Sequence, residues 1–280
     1  MRISIVTLSF DQGEFLERAM RSVLDQDHPD LEYIVVDPGS TDGSRAIIER
    51  HRHRLARVIL DPDDGPADGL NRGLAAATGT LFGYINADDR LLPGALARVA
   101  AAFARDPLAD VACGHGYIED LRCGHRYRVN VSRPPVRPWA LAFGGVATLQ
   151  QGTFFRTAAV RAAGGFNPAN RTCWDGELLA GLALAGARFT RIDAPLAVFT
   201  LHGRSISGTG RLEAQYRQDE ARLFARLMGR GPAPGDGLRR LAARALKWGC
   251  NPDAAVWRLR RLLQPVQPLP GGGDGWGDGG

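Results

Sequence analysis

The sequence has little that points to a membrane or secreted protein. Its 280 residues contain no apolar run that approaches the ~20 residues needed for a membrane-spanning helix. The opening residues 1–8 are apolar but short, carry one basic side chain and lack a cleavage signature, so we expect a first strand there and no signal peptide. The four cysteines (Cys113, Cys123, Cys173 and Cys250) are too few and too scattered for a disulfide scaffold. The composition therefore predicts a protein of the reducing cytoplasm.

Most of the chain also lacks a charge excess. The whole formal charge of +5 lies in residues 211–280, which hold twelve Arg and Lys side chains against seven Asp and Glu side chains. Residues 1–210 are neutral. Because nucleic-acid binding usually shows as a basic patch on the folded domain, we expect no nucleic-acid partner for the main part of the chain.

Two familiar motifs are incomplete. The segment GSTDGS at 39–44 lacks the Gly-Lys-Ser/Thr ending that a phosphate-binding P-loop requires. The triplets Cys113-Gly114-His115 and Cys123-Gly124-His125 offer sulfur and imidazole groups for zinc, but their C-x-H spacing differs from the usual C-x₂₋₄-C pattern. A two-stranded hairpin over residues 110–131 accounts for both triplets without a metal.

Strand and helix patterns alternate up to Asp89, which predicts a sheet with parallel strands and crossover helices. Apolar runs predict strands at 3–8, 33–36, 58–60, 81–85, 149–155 and 195–201. Helical spacing predicts helices at 15–25, 45–54, 94–104, 157–163 and 175–186, with a proline-rich loop at 133–138.

The pattern changes at residue 212, after which only helical segments follow. An amphipathic helix is predicted over 212–228, a linker over 231–237, and Arg-rich helices over 238–248 and 252–263. We therefore expect three parts: a main domain at 1–210, a helical extension at 211–265 and a disordered Gly-rich tail at 266–280. The basic helices fit either peripheral contact with an anionic bilayer or packing on the core with a solvated face, and the sequence leaves both open.

The stretch from Asp61 to Asp89 carries the strongest chemical signal. Its apolar strand ends just before Asn86, Asp88 and Asp89, and ligands of open α/β sheets bind outside the carboxyl ends of the strands. Paired carboxylates in such a place suit a hard divalent cation that shares its oxygen ligands with a diphosphate. The alternative is a cap for the helix beginning near Pro93, although the spacing is long for a direct cap.

Four segments in this order resemble glycosyltransferase family 2. They are SIVTLSFDQGEFLERAMRSVLDQ at 4–26, YIVVDPGSTDGS at 33–44, ADGLNRGLAAATGTLFGYINADD at 67–89, and WDGELLAGLALAG at 174–186 followed by FTLHGRSIS. The similarity covers about residues 1–210. The chain looks most like inverting members with the GT-A fold that build bacterial surface polysaccharide and lipopolysaccharide.

The resemblance implies a Rossmann-like α/β fold, with a mixed, mostly parallel sheet flanked by helices. It implies transfer of a sugar, with inversion, from a nucleoside-diphosphate sugar to a hydroxyl group of a glycan or lipid-linked acceptor. The expected donor is a UDP-sugar, and the expected cofactor is Mg²⁺ or Mn²⁺. The cation would neutralise the leaving diphosphate.

The resemblance also implies the site residues. Substrate and nucleotide contacts are expected from Thr7, Ser9, Asp37, Asp64, Asn71, Asp88 and Gln151. Metal contacts are expected from Asp89 first, with Asp88 leaning toward the ribose, and from His202. Asp175 is the expected general base, with Glu177 as its competitor. Two alternatives stay open. In the first, Asp175 serves only to stabilise the N-terminal end of its helix through the helix dipole. In the second, His202 is a surface histidine whose hydrogen bonds are made within the protein.

The sequence departs from the family at Pro38, at Gly65-Pro66-Ala67 and at Thr80, but none of these positions removes a group that the chemistry needs. A sugar-phosphate nucleotidyltransferase is the first alternative, and the Gly-rich basic loop of that class is missing between Ser9 and Phe15. A non-catalytic binding homologue is the second, and the presence of both Asp89 and Asp175 counts against it.

Overall fold

The computed structural model describes residues 1–205, 212–252 and 256. Its strands are β1 (Ile3–Leu8), β2 (Leu31–Val36), β3 (Arg57–Ile59), β4 (Leu81–Asn86), β5 (Arg90–Leu91), β6 (Val111–Asp120), β7 (His125–Val129), β8 (Thr153–Arg156) and β9 (Phe189–Leu201). Its α-helices are α1 (Gly13–Leu24), α2 (Ser44–Arg50), α3 (Pro66–Ala76), α4 (Ala95–Arg105), α5 (Pro138–Ala142), α6 (Thr157–Ala162), α7 (Trp174–Leu184), α8 (Glu213–Met228) and α9 (Asp236–Gly249).

All nine strands form one mixed sheet in the order β3-β2-β1-β4-β8-β6-β9-β5. Strand β7 lies outside this order and pairs with β6 on the side away from β9. The pairings of β1, β2, β3 and β4 with one another are parallel, as is that of β6 with β9. The pairings of β8 with β4 and β6, and of β5 and β7 with their neighbours, are antiparallel. The predicted α/β fold with a mixed sheet flanked by helices is confirmed.

The core forms because the central strands are apolar throughout and each crossover helix has one apolar stripe. Helix α1 buries Phe15, Leu16, Ala19, Met20, Val23 and Leu24, which recur at helical spacing. In β4, a Cβ atom at Gly83 would lie 2.6 Å from the ring of Phe154, so glycine allows β8 to approach closely. Residues Asn86 to Asp89 are thereby placed at the carboxyl edge of a rigid sheet.

A smaller part of the sheet extends past this edge. Strand β6 runs in the direction of β4, since both are antiparallel to β8. Only Val111–Cys113 of β6 pair with β8, whereas Gly116–Asp120 pair with β7 on one side and β9 on the other. We call β5, β7, β9 and the second half of β6 the small sheet. It rises beside the carboxyl ends of the central strands.

The structure corrects several predicted boundaries. The strand predicted at 149–155 begins only at Thr153, because Gln150–Gly152 form a 3₁₀ turn whose side chains reach other partners. Helix α4 begins at Ala95 with Gly94 as N-cap, so Asp88 and Asp89 do not cap it. Strand β9 starts at Phe189, well before the predicted 195. Helix α5 begins at Pro138, the last residue of the predicted loop, and covers residues for which no element was predicted.

The C-terminal helices pack on the main domain. The ring of Phe224 in α8 meets Phe143 edge-on, with centroids 5.6 Å apart, and both side chains are buried. No helix within the described ranges has the length and apolar character required to cross a bilayer. The predicted helix at 252–263, apart from 252 and 256, and the predicted tail at 266–280 lie outside the described residues. The division at residue 210 stays a prediction.

Candidate active site

Asp89 is bonded on both carboxylate oxygens. Its Oδ1 accepts from the backbone N–H of Thr200 at 3.0 Å, and its Oδ2 accepts from the side chains of Gln151 at 2.7 Å and Asn86 at 3.3 Å. The side chain is fully buried. Burial and the charge of Asp88 raise the pKa of Asp89 well above its usual range, against the effect of the three donors. Asp89 therefore connects β4, β9 and the 3₁₀ turn.

Asp88 is bonded on one oxygen only. Its Oδ2 lies 3.0 Å from Nε2 of His202, whereas its buried Oδ1 has no partner among the described residues. The His202 ring stacks on Phe15 with centroids 4.5 Å apart, and its Nδ1 accepts from the backbone N–H of Arg204. Nε2 of His202 therefore faces the Asp88 carboxylate, while Nδ1 faces a backbone donor. The free Oδ1 leaves one strong acceptor at the strand end.

Asp88 and His202 fit a divalent cation better than Asp89 does. Hard cations such as Mg²⁺ take oxygen ligands and are often held by one or two protein side chains plus substrate phosphates. Asp88 offers an unused carboxylate oxygen, and His202 can offer Nε2 by releasing Asp88, whereas the oxygens of Asp89 already accept three hydrogen bonds. The described residues contain no group of three or more such ligands, so phosphate oxygens would have to complete the site. The geometry thus favours Asp88 over Asp89, and the predicted order with Asp89 first stays a prediction.

The ends of β1 and β2 carry two further buried atoms without a partner. Asp37 is fully buried, and its Oδ1 accepts from the N–H groups of Gly39 and Ser40 and from Arg45. Its Oδ2 has no partner among the described residues, and neither has the buried hydroxyl of Ser9. Because β1 and β2 are parallel and in register, these two groups end adjacent strands. They present an acceptor and a hydroxyl to whatever occupies this edge.

The other predicted nucleotide contacts are engaged elsewhere or exposed. Thr7 is buried and its hydroxyl accepts from the phenol of Tyr33 at 2.9 Å. The Asn71 amide bonds the backbone of Phe166 with both its nitrogen and its oxygen, so it ties α3 to the turn after α6. Asp64 is exposed, and its backbone carbonyl accepts from Arg171. Asn71 therefore has a structural role, and its predicted nucleotide contact finds no support in its geometry.

Asp175 lies in the first turn of α7, and no side chain among the described residues bonds its carboxylate. Burial raises its pKa above the usual value, against the effect of the backbone N–H groups of Gly176 and of Asp175 itself. The charge of Asp175 adds to the rise in the pKa of Tyr84 that burial causes. Tyr84 belongs to β4, four residues before Asp88. Asp175 therefore lies near the strand that carries the acid pair, with an elevated affinity for protons.

Glu177, the competitor for the same role, is fully engaged. Its carboxylate accepts from Asn167 at 3.0 Å, Asn170 at 2.6 Å and Arg222 at 3.1 Å, with Arg226 at 3.4 Å. Burial alone would raise its pKa, but these donors bring the pKa below the usual value. A carboxylate held in this way is a poor proton acceptor.

The same contacts show that α8 braces the start of α7. Arg222 and Arg226 of α8 bond Glu177, and the buried Asp219 accepts from the hydroxyl of Thr172 at 2.7 Å. Sequence reasoning missed this brace. The sequence feature that could have revealed the brace is the i, i+4 spacing of Arg222 and Arg226 close to Asp219. The matching feature is the acid Glu177 in the first turn of another helix.

The Cys and His triplets do not converge on a metal within the described residues. Cys113 accepts from the hydroxyl of Thr153, and His115 accepts from the backbone N–H of Val131 at 3.1 Å. Cys123 is exposed and lies beside the backbone of Asp120 at the tip of the β6–β7 hairpin. The hairpin predicted over 110–131 is present as β6 and β7.

Comparison with known proteins agrees with this geometry. Residues 4–161 match the family model described as Glycosyl transferase family 2. Among curated proteins, the chain is 35% identical over 91 residues to the putative teichuronic acid biosynthesis glycosyltransferase TuaG of Bacillus subtilis, a stretch covering 31% of this chain and 36% of that protein. The chain thus spans about a third of the length of the first curated relatives that it matches.

Two solved structures are similar in fold. One is S. aureus TarS in complex with UDP, with a TM-score of 0.62 at 18% identity over 89% of this chain and 70% of that one. The other is the mannosyltransferase PcManGT from Pyrobaculum calidifontis in complex with GDP-Man and Mn²⁺, with a TM-score of 0.61 at 20% identity over 95% and 76% of the two chains. The GT-A fold predicted from the sequence is confirmed.

Proposed function

The chain belongs to glycosyltransferase family 2, and from this premise we propose that it transfers a sugar from a nucleoside-diphosphate sugar to an acceptor hydroxyl, with inversion, in surface-polysaccharide or lipopolysaccharide synthesis. The observation that carries the proposal is the set of buried polar atoms left without partners along one edge of the sheet. They are Ser9 Oγ, Asp37 Oδ2 and Asp88 Oδ1, at the ends of β1, β2 and β4. Buried polar atoms are normally bonded, so three together at a ligand-binding edge support a polar ligand there.

In this proposal the three atoms contact successive parts of the donor. Asp37 Oδ2 accepts the imide N–H of a uracil base, and the Ser9 hydroxyl lies beside it. Asp88 and His202 would hold Mg²⁺ or Mn²⁺, which would neutralise the charge that develops on the departing diphosphate. Asp89 keeps Asp88 in place through its bonds to β9 and the 3₁₀ turn. Gln151 acts through Asp89, since its amide donates to that carboxylate.

Asp175 takes the proton of the acceptor. The acceptor oxygen forms a bond to the anomeric carbon, the bond from that carbon to the diphosphate oxygen breaks, and the hydroxyl proton moves to the Asp175 carboxylate. Attack from the face opposite the leaving group inverts the configuration. A base with a raised pKa suits this step, because its affinity for the proton is higher. The free carboxylate of Asp175 and the occupied one of Glu177 support this assignment.

The donor assignment can be tested by thermal shift with a panel of nucleotide sugars, with and without Mn²⁺. We expect the largest stabilisation from a UDP-sugar together with Mn²⁺. Asp37→Asn should weaken UDP binding by about ten- to a hundredfold, because an amide nitrogen would face the imide N–H in place of a charged acceptor. The matched control is Asp27→Asn, at an exposed position. A metal-dependent shift given by no uridine, guanosine or thymidine nucleotide sugar would overturn the donor proposal.

We also propose peripheral membrane contact through α9. Leu238, Leu241 and Leu246 are exposed by 73%, 59% and 75%. Part of the basic charge nearby is used internally, since Arg239 pairs with Asp236 and Arg240 with Glu220. In this proposal the exposed leucines of α9 therefore contribute more to membrane binding than its basic side chains do.

Sedimentation with anionic vesicles tests this contact on the full chain. Leu238→Ser combined with Leu241→Ser should lower the vesicle-bound fraction severalfold. Leu108→Ser, at a position that is 72% exposed in the turn after α4, is the control and should bind as the wild type does. Equal sedimentation of all three proteins would remove the membrane proposal and leave the proposed transfer reaction untouched.

A further inference from the structure

One face of the small sheet carries an unusual set of arginines. Strand register places Arg90, Val198, Tyr117 and Arg128 in one row across β5, β9, β6 and β7. The next row holds Thr200, Glu119 and Arg126. Partners in register point to the same side of a sheet, so both rows share one face, which we call the arginine face. The opposite face carries the apolar cluster of Ile118, Tyr127, Val129, Phe199 and Leu201.

The positive charge of the arginine face is only partly balanced. Glu119 bonds Arg90 at 2.8 Å and lies 3.9 Å from Arg18 of α1. Arg126 lies over the ring of Tyr117, with its guanidinium carbon 4.1 Å from the centroid. Within the described ranges, neither Arg126 nor Arg128 forms an ion pair. Three guanidinium groups, those of Arg90, Arg18 and Arg126, thus lower the pKa of Glu119, and Arg128 adds a fourth on the same face. Arg18 is also attracted by the acid pair.

Two buried donors on this face also lack partners. The Nε–H of Arg128 is shielded from solvent and meets no acceptor among the described residues. The hydroxyl of Thr200 also has no hydrogen-bond partner among the described residues, and its side chain is fully buried. Leaving such groups unpaired costs free energy, so their presence on a cationic face indicates an oxygen-rich anionic ligand.

The position of the face separates it from the donor contacts. Thr200 donates its backbone N–H to Asp89, so the arginine face begins directly at the acid pair. In the strand order, β6, β7 and β9 lie on one side of β4, whereas β1 and β2, which carry Ser9 and Asp37, lie on the other. A donor whose nucleotide lies over β1 and β2 leaves the arginine face free for the second substrate.

We propose that the arginine face binds a phosphate or diphosphate group of the acceptor. This inference rests on the proposed function, which requires an acceptor, and it adds the chemical class of that acceptor. Arg126 and Arg128 supply forked donors that match phosphate oxygens, and Thr200 supplies a hydroxyl. The acceptor hydroxyl would then be held near the acid pair by a group remote from the reacting oxygen.

Calorimetric titration of the full chain in EDTA tests the proposal, with geranyl diphosphate and glucose 1-phosphate as probes. We expect Arg126→Gln combined with Arg128→Gln to weaken probe binding at least tenfold. The control, Arg57→Gln combined with Arg105→Gln, removes the same charge from exposed positions elsewhere and should change binding less than twofold. Tighter binding of the diphosphate would point to a lipid carrier, and tighter binding of the monoester to a phosphate within the glycan; either supports the inference.

Three results would overturn the inference. The first two are no binding of either probe to the wild type and equal weakening of probe binding in both double variants. The third is a parallel loss of UDP–Mn²⁺ binding in the Arg126/Arg128 variant, which would assign these residues to the donor. If that variant melts early, Arg126→Gln alone, at an exposed position, should still weaken binding about threefold. A wild type that binds UDP and Mn²⁺ but shows no arginine-dependent probe binding defeats this inference and leaves the proposed function standing. A wild type that binds no nucleotide sugar defeats the proposed function.

Discussion

Asp175→Asn should lower the kcat of sugar transfer by about a hundred- to ten-thousandfold, the usual contribution of a general base. Donor binding should stay within about twofold, because no side chain within the described ranges bonds the Asp175 carboxylate. The asparagine keeps the shape of the side chain but has no site for the acceptor proton. Release of UDP from a UDP-sugar with a suitable acceptor measures kcat, and thermal shift with UDP and Mn²⁺ measures binding.

The wild-type pH profile is part of the same prediction. Burial raises the pKa of Asp175, and the active form is the ionised one, so activity should fall on the acid side at a pH above that of an ordinary aspartate. Asp61→Asn, at an exposed position, is the matched control and should leave kcat unchanged. Retention of full activity by Asp175→Asn would show that another group takes the proton.

Glu177→Gln separates the two acids of α7. Arg222 and Arg226 would lose their charged partner, so this variant should melt several degrees lower and lose activity in proportion to the folded fraction. Asp175→Asn should melt within a few degrees of the wild type. A stable Glu177→Gln protein with a selective loss of kcat would transfer the role of base to Glu177.

The second large effect distinguishes the adjacent acids of β4. Asp88→Asn should lower Mn²⁺-dependent activity by about a hundredfold and remove the stabilisation that UDP gains from Mn²⁺, while the metal-free melting temperature changes little. The reason is geometric: among the described residues Asp88 bonds only His202 and keeps a free oxygen. Thermal shift and UDP release, each titrated with Mn²⁺, measure the loss.

Asp89→Asn should behave differently. The new amide nitrogen would face one of the donors that now bond the carboxylate, namely Thr200, Gln151 and Asn86, which costs about 1–3 kcal/mol of the free energy of unfolding. The metal-free protein should therefore melt several degrees lower. The opposite pattern, with a stable Asp89 variant that has lost its metal response and a destabilised Asp88 variant that keeps it, would restore Asp89 as the metal ligand.

The preference for Asp88 shows which part of the site the sequence could not predict. The end of β4 could be read from a local apolar run, and the carboxylates after it from their position, because both depend on neighbouring residues. Which carboxylate is free depends on Thr200 and Gln151, which are distant in sequence and reach Asp89 through strand pairing and the 3₁₀ turn. Nothing in the local pattern separates two adjacent aspartates.

The same limit applies to the rest of the molecule. Helix α1 and strands β1, β2 and β4 were predictable from periodicity, and Asp37 from its place at the end of β2. The insertion of antiparallel β8 between β4 and β6, the brace of α8 on α7 and the arginine face each depend on pairing between segments far apart in the chain. Hydrophobic periodicity carries no information about such partners, so these features needed coordinates.

The most direct test of the account is the anomalous scattering of Mn²⁺ in a crystal of the protein grown with a UDP-sugar analogue that cannot react. We expect one strong peak bonded to Asp88 Oδ1, His202 and the diphosphate, with Asp89 still bonded to Thr200 and Gln151, and with Asp175 facing the anomeric carbon from the side opposite the diphosphate. A peak on Asp89 with Asp88 turned away, or an Asp175 carboxylate out of reach of the sugar, would contradict the proposed site.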